Sequence, residues 1–137
     1  MALMRLLPQS LLGSMPAPAG QVDFRLARNA VLSEFRKGRL GRNEVCDAHP
    51  ELIRAARSIG EPTTECCPIC QKREVVLVSY VFGPGLPPSG QTVVTDAELS
   101  RLARRGRDLA CYVVEVCPEC AWNHLARTFP VGRLSRS

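Results

Sequence analysis

Two short stretches constrain this chain more than any other feature: Cys67-Pro68-Ile69-Cys70 and Cys117-Pro118-Glu119-Cys120. A two-residue spacer lets both sulfurs of a turn face one ion, and proline in the second position fixes φ and holds the turn ready. Four such thiolates are the ligand set of a structural tetrahedral zinc site. Each turn also sits at a strand end. "REVVLVSYVF" is β-branched and aromatic with apolar residues on both faces, which predicts a buried strand over 74–82, just after Cys70. "LACYVVEV" predicts another over 110–116 that delivers the chain to Cys117. Pairing those strands would bring the turns together, as in a zinc ribbon. Residues 71–116 separate the turns, against roughly 15–20 residues in the usual ribbon. The loop "GPGLPPSG" and a helix over 95–105, opened by the capping-box pattern Thr95 to Glu98, account for the excess.

A thiol-disulfide function is the rival reading. A Cys-Pro-x-Cys pair at a helix N-terminus has a lowered thiol pKa, and "AWNHLARTF" behind Cys120 reads as a last helix or turn. Thioredoxin-like proteins, however, carry one such pair in a βαβ frame, whereas this chain has two and the first leads into a strand. Zinc is expected over iron because rubredoxin-like iron sites commonly have glycine after the second cysteine, where this chain has Gln71 and Ala121.

Other residues near the turns have two readings each. Cys66 is an accessory ligand or a small residue at the turn entrance, and Cys111 reads as a core thiol. Cys46 and His49 have Cys-x-x-His spacing, but no second pair completes a site, so a helix-edge thiol and a capping histidine are expected. His124 is an accessory ligand, an acid/base beside the metal, or a packing residue. Four cysteine ligands leave no open position for catalysis, which favours a surface or packing role. Trp122, the only tryptophan, is a core residue or a platform for a base or a protein partner.

The length of 137 residues fits one domain, and 45% hydrophobic residues suffice for a modest core. Seven cysteines is an odd number, which argues against a secreted disulfide framework. Residues 1–21 read as a disordered leader. Pro8 breaks its short apolar run, and Met4 and Met15 are alternative starts. A single domain is expected over 22–130, with a frayed tail over 131–137. Asp23 is the expected cap of a first helix whose apolar face carries Phe24, Ala27, Val31, Leu32 and Phe35, with Gly38 just past its end. A second helix has Pro50 in its first turn and ends near Gly60. No run approaches the length of a membrane span.

The net charge is +5 and the pI about 9.0. Arg25, Arg28, Arg36 and Lys37 on the first helix, and Arg101, Arg104 and Arg105 at the end of the capped helix, are candidate phosphate contacts. The same residues also suit a solvated surface and a helix C-terminus. There is no Ser-His-Asp arrangement, P-loop, dinucleotide fingerprint or His-Glu-x-x-His, so no small-molecule substrate is evident.

The run "RNEVCDAHPELIRAA", followed by "CCPIC", "VSYVFG", "SG" and "YVVEVCPECAWNHL", resembles a family of uncharacterised actinobacterial proteins known only as a domain of unknown function. The likeness covers about residues 22–130. It implies a small cytoplasmic protein with a zinc-ribbon-like part, and it supports the ligand role of Cys67, Cys70, Cys117 and Cys120. The expected fold is α+β, with short N-terminal helices packed on a small antiparallel zinc-ribbon-like sheet. The expected function is that of a non-enzymatic module with one structural Zn2+, docking on nucleic acid, RNA polymerase or the ribosome. A thiol-disulfide protein is the alternative, and a zinc enzyme using His124 the third reading.

Overall fold

The structure, a computed structural model, describes residues 20–132. The leader expected over residues 1–21 and the tail expected over 131–137 lie almost wholly outside the described residues. Strand β1 (Val22–Asp23) leads into helix α1 (Arg25–Arg36), then α2 (Arg42–Val45) and α3 (Pro50–Ile59). Strands β2 (Glu61–Cys66), β3 (Glu74–Phe82) and β4 (Gln91–Val93) follow, then α4 (Asp96–Arg105), β5 (Leu109–Val116) and β6 (Asn123–Val131). The fold is α+β, with an antiparallel six-stranded sheet in the order β1-β6-β5-β3-β2, β4 also pairing with β3.

Local chemistry explains the helix ends. The Asp23 carboxylate accepts from the Arg25 N–H at 2.6 Å, one position ahead of the helix start at the Phe24 cap. Gly38, at φ +79°, lets the chain turn left-handed past the end of α1. The His49 ring accepts from the Glu51 N–H at 3.0 Å, the capping role expected of it, and Pro50 opens α3. At α4 the capping box is reciprocal: Glu98 N–H donates to Thr95 Oγ1 at 3.1 Å, and Thr95 N–H donates to Glu98 Oε1 at 3.0 Å.

The described residues fall into two compact units. One contains residues 20–22, 79–112 and 128–132. Its buried residues include Val81, Val93, Leu99, Leu109, Cys111, Phe129 and Val131, with Tyr112 edge-on to Phe82 at 5.2 Å. Gly83 lies at φ +152°, which strains any residue with a side chain, and a Cβ there would crowd the backbone at Leu109 Cα, 3.1 Å away, and Asp108 O, 3.2 Å away. The other unit contains residues 23–78 and 113–127. Its core joins Leu32 and Val45 to Cys67, Val75, Cys117 and Trp122, with Val31, Phe35 and Leu40 packed against them.

One expectation needs correction, and two further strand segments were not foreseen. "AWNHLARTF" is neither helix nor turn: β6 occupies Asn123–Val131. His124, Arg127 and Thr128 hide its strand pattern, and only Phe129 and Val131 show buried alternation. Val131 is fully buried within β6, so the chain is still strand where fraying was expected. The segment after Gly60 is also strand: β2 pairs Glu61 with Leu77 and Cys66 with Glu74 across an irregularity. Pro62 concealed it, because proline donates no ladder hydrogen bond and is tolerated at sheet edges, where β2 lies.

A candidate metal centre built from two matching turns

The two Cys-Pro-x-Cys turns share one backbone bond, from the residue after the second cysteine to the carbonyl of the first, and in each the first cysteine's N–H is taken by a carbonyl just beyond the turn. In the first, Cys67 N–H donates to Arg73 O at 2.8 Å and Gln71 N–H to Cys67 O at 3.1 Å. In the second, Cys117 N–H donates to Trp122 O at 2.8 Å and Ala121 N–H to Cys117 O at 2.9 Å. Backbone N–H groups also point at sulfur: Ile69 to Cys67 at 3.4 Å, Lys72 to Cys70 at 3.5 Å and Cys120 to Cys117 at 3.5 Å. Gln71 and Ala121 sit at φ 56° and 73°. A non-glycine residue there costs on the order of 1 kcal/mol, yet both turns adopt it. The lack of glycine after the second cysteine therefore does not keep the rubredoxin-like turn from forming, and it gives no ground for choosing between zinc and iron.

β3 and β5 are sheet neighbours, which brings the turns face to face. The sulfurs of Cys67, Cys70, Cys117 and Cys120 all lie within 4.8 Å of one another. Across the turns, Cys67 Sγ is 3.7 Å from Cys120 Sγ, and Cys70 Sγ is 3.7 Å from Cys117 Sγ. A tetrahedron with metal–sulfur bonds of about 2.3 Å has sulfur–sulfur edges of about 3.8 Å. The four cysteines are thus close enough to hold a metal ion. Burial pushes the Cys67 and Cys117 thiols up, and Cys120 up to about 12. At Cys70 burial also raises the value, but the Lys72 N–H and neighbouring thiols outweigh it and the net shift is downward. Three of the four sulfurs therefore hold their protons tightly unless a cation replaces them.

Polar contacts fix the second turn from several sides. Arg57 Nη2, on α3, donates to Pro118 O at 3.0 Å. Glu115 is 5% exposed. It accepts from Arg28 Nε at 2.8 Å, Arg28 Nη2 at 2.7 Å and Trp122 Nε1 at 2.9 Å. Arg28 Cζ stands 5.9 Å from the Trp122 ring centroid. The Glu115 hydrogen bond, the largest influence on it, raises the Arg28 pKa. Ala48 N–H donates to Ala121 O at 3.1 Å, and Asn123 Nδ2 to Asp47 Oδ1 at 3.0 Å. These contacts place Cys46 Sγ 3.5 Å from Cys120 Sγ.

The remaining candidates are distributed as follows. Trp122 is 1% exposed, so it is a core residue and not a surface platform. Arg28, paired inside the fold, is not a free phosphate contact. Arg25, Arg36 and Lys37 are exposed on or beside α1, with Lys37 and Arg39 flanking Glu34 at 3.9 and 3.4 Å. Arg101, Arg104 and Arg105 are exposed on α4, the last two in its final turn. Cys66 is exposed at the end of β2 and Cys111 fully buried. His124 stacks on Trp122 at 6.0 Å and its Nδ1 lies 2.7 Å from Leu125 O. Neither Cys66 nor His124 belongs to the four-residue cluster. Sequence reasoning missed Cys46 beside Cys120 and the Glu115 bridge. Both join residues 74 or more apart except for the Trp122 bond, and no local pattern announces such a contact.

Residues 15–137 match DUF5318, described as a family of unknown function. The chain belongs to that family. An uncharacterised protein of Mycobacterium tuberculosis and one of Mycobacterium bovis are each 45% identical to it over 111 residues, which is 81% of this chain and 81% of the relative. No solved structure matches the chain. Among the described residues, no helix is long and apolar enough to cross a membrane.

Proposed function

We propose that Cys67, Cys70, Cys117 and Cys120 hold one structural Zn2+ and that this DUF5318 protein is a non-enzymatic binding module. The observation that carries the metal is the pair of cross-turn sulfur distances, both 3.7 Å, which fit the tetrahedral edge. Four thiolates saturate the ion and leave no position for substrate or water. The metal then acts through folding: structural zinc contributes about 10–16 kcal/mol at neutral pH, comparable to the whole stability of a domain. The N–H groups aimed at sulfur, with Lys72 and Arg73 beside the first turn, offset the surplus negative charge of such a site.

The partner we propose is nucleic acid or a machine built on it, RNA polymerase or the ribosome. Support comes from the +5 charge and from Arg25, Arg36, Lys37, Arg39 and Arg42, all exposed. Such a surface binds phosphate in a salt-dependent way. A reducing cytoplasm suits a site that works through free thiolates. The thiol-disulfide alternative loses its main support, because β6 follows Cys120 where a helix N-terminus would be needed to lower a thiol pKa.

The test is metal analysis and thiol counting on untagged protein purified without chelators. One zinc per chain, with four thiols protected until the metal is stripped, is the expected result. Iron would replace zinc in the reading. No metal, together with a reductant-sensitive disulfide inside either turn, would overturn it. Binding to nucleic acid that weakens linearly in log salt would support direct contact. Its absence in metal-loaded protein would direct the search to a protein partner.

A further inference from the structure

Resting on that metal site, we propose that Cys46 and Cys120 are a disulfide-forming pair, and that their bond, formed at the expense of a peroxide, is how the clamp opens. Cys46 follows α2 and is not one of the four clustered cysteines. Its Sγ nonetheless lies 3.5 Å from Cys120 Sγ, closer than the 3.7 Å between the cross-turn pairs of the cluster. The position is built: the Ala48–Ala121 and Asp47–Asn123 hydrogen bonds, at 3.1 and 3.0 Å, hold the segment after Cys46 on the second turn.

Access points to the same pair. Cys46, Cys70 and Cys120 are half-buried, whereas Cys67 and Cys117 are fully buried, and of the half-buried sulfurs Cys46 and Cys120 lie 3.5 Å apart. Either disulfide within a turn would consume one fully buried sulfur and remove two ligands at once. The Cys46–Cys120 bond removes a single ligand and leaves Cys67, Cys70 and Cys117.

The chemistry balances with hydrogen peroxide as oxidant. The Cys120 thiolate attacks one peroxide oxygen, the O–O bond breaks, and hydroxide leaves as the sulfenic acid forms. An ion held by Cys120 would lose that ligand in this step. Cys46 sulfur then displaces the sulfenic oxygen, which departs as water with the Cys46 proton, and the S–S bond closes. One solvent proton neutralises the hydroxide. Two electrons have passed from the two sulfurs to peroxide, giving two waters. The three remaining thiolates would hold an ion more weakly, which favours its release.

The experiment uses the full reduced chain as purified, titrated with hydrogen peroxide, alkylated, digested with trypsin and mapped by mass spectrometry. A chromogenic indicator follows metal release in parallel. Trypsin places Cys46 in peptide 43–54 and Cys120 in peptide 108–127, and fragmentation separates Cys120 from Cys111 and Cys117. The expected first product is the Cys46–Cys120 cross-link with one metal released per link. Cys46→Ala should lose that early phase of peroxide-driven release while its release to EDTA stays at the wild-type rate, which shows an intact site. A first bond within 67–70 or 117–120, or wild-type peroxide-driven release from Cys46→Ala, would overturn the proposal. If metal analysis finds no ion, the clamp reading fails by itself. The cross-link map still decides whether these two sulfurs pair first.

Discussion

Removing the Glu115 carboxylate should be among the costliest single changes to a polar side chain in this fold. Its two oxygens take three donors at 2.7–2.9 Å, two from Arg28 and one from Trp122. The Arg28 and Glu115 side chains are 14% and 6% exposed, so water replaces little of what is lost. Glu115→Ala strands a guanidinium inside the fold, which costs about 3–5 kcal/mol. It also strands the indole N–H, worth about 1–3 kcal/mol when left unpaired. The two losses share one carboxylate and do not add in full, so about 4 kcal/mol is expected. Arg28→Met combined with Glu115→Leu removes both charges at similar volume, and the pair should cost less than the sum of the two single changes by about 2 kcal/mol. Equilibrium urea unfolding at fixed free metal is the assay, because bound ion adds to apparent stability. Trp122, the only tryptophan, supplies the fluorescence signal. Trp122 O also accepts the Cys117 N–H at 2.8 Å, so Glu115→Ala should hold metal less well too. A loss below about 1 kcal/mol, or simple additivity in the cycle, would refute the view that this network seats the second turn.

Three further outcomes follow from the hydrogen bonding and the thiols. Thr95→Ala should cost about 1 kcal/mol by uncapping α4, read by thermal unfolding. The N–H groups of Val94 and Thr95 hold the Glu98 carboxylate below its ordinary pKa. Its stabilisation is therefore present above the unfolded carboxylate value, about 4.3, and is lost as pH falls through the lower folded value; in Glu98→Gln that acid-side loss should shrink. At the metal site the sign comes from proton release. Burial raises Cys67, Cys117 and Cys120, the last to about 12, so each must give up a proton to bind. Apparent zinc affinity should climb steeply between about pH 6 and 8. Competition against a chromogenic chelator measures it, and a flat profile would count against thiolate ligation.

What was legible in the sequence was what short-range chemistry writes. The two turns, the β3 and β5 strands, the Thr95–Glu98 box, Pro50 at a helix start and Gly38 past a helix end are all local signals, and the structure places them where the residues indicated. The adjacency of β3 and β5 followed from the need to join the turns. β6 escaped because its polar residues break the two-residue alternation, and β2 because Pro62 reads as a breaker. Arg28 was assigned to the surface, and Trp122 was left between core and platform, for want of a visible partner. That partner, Glu115, lies 87 residues from Arg28, beyond the reach of any helical or strand period. The same distance hid Cys46, 74 residues before Cys120.

The long interval between the turns is easier to reconcile with a ribbon than its length implies. Closing a loop costs about 0.6 kcal/mol more for each doubling of length. Stretching the usual ribbon insert of roughly 15–20 residues to the span 71–116 therefore adds only about 1 kcal/mol. The proposed structural zinc would offer about ten times that. The inserted residues are not slack chain either. Residues 79–112 belong to a compact unit with their own buried Val81, Val93, Leu99 and Leu109, so their ordering is offset by their own burial. The turns, α1, the Glu115 bridge and the Cys46 segment all lie in the other unit. Metal binding and its proposed opening by peroxide thus need only residues from that unit, while β4 and α4 contribute none of the sulfurs. Changes within residues 79–112 should leave the sulfur chemistry intact, and changes at Cys46, Glu115 or Trp122 should not.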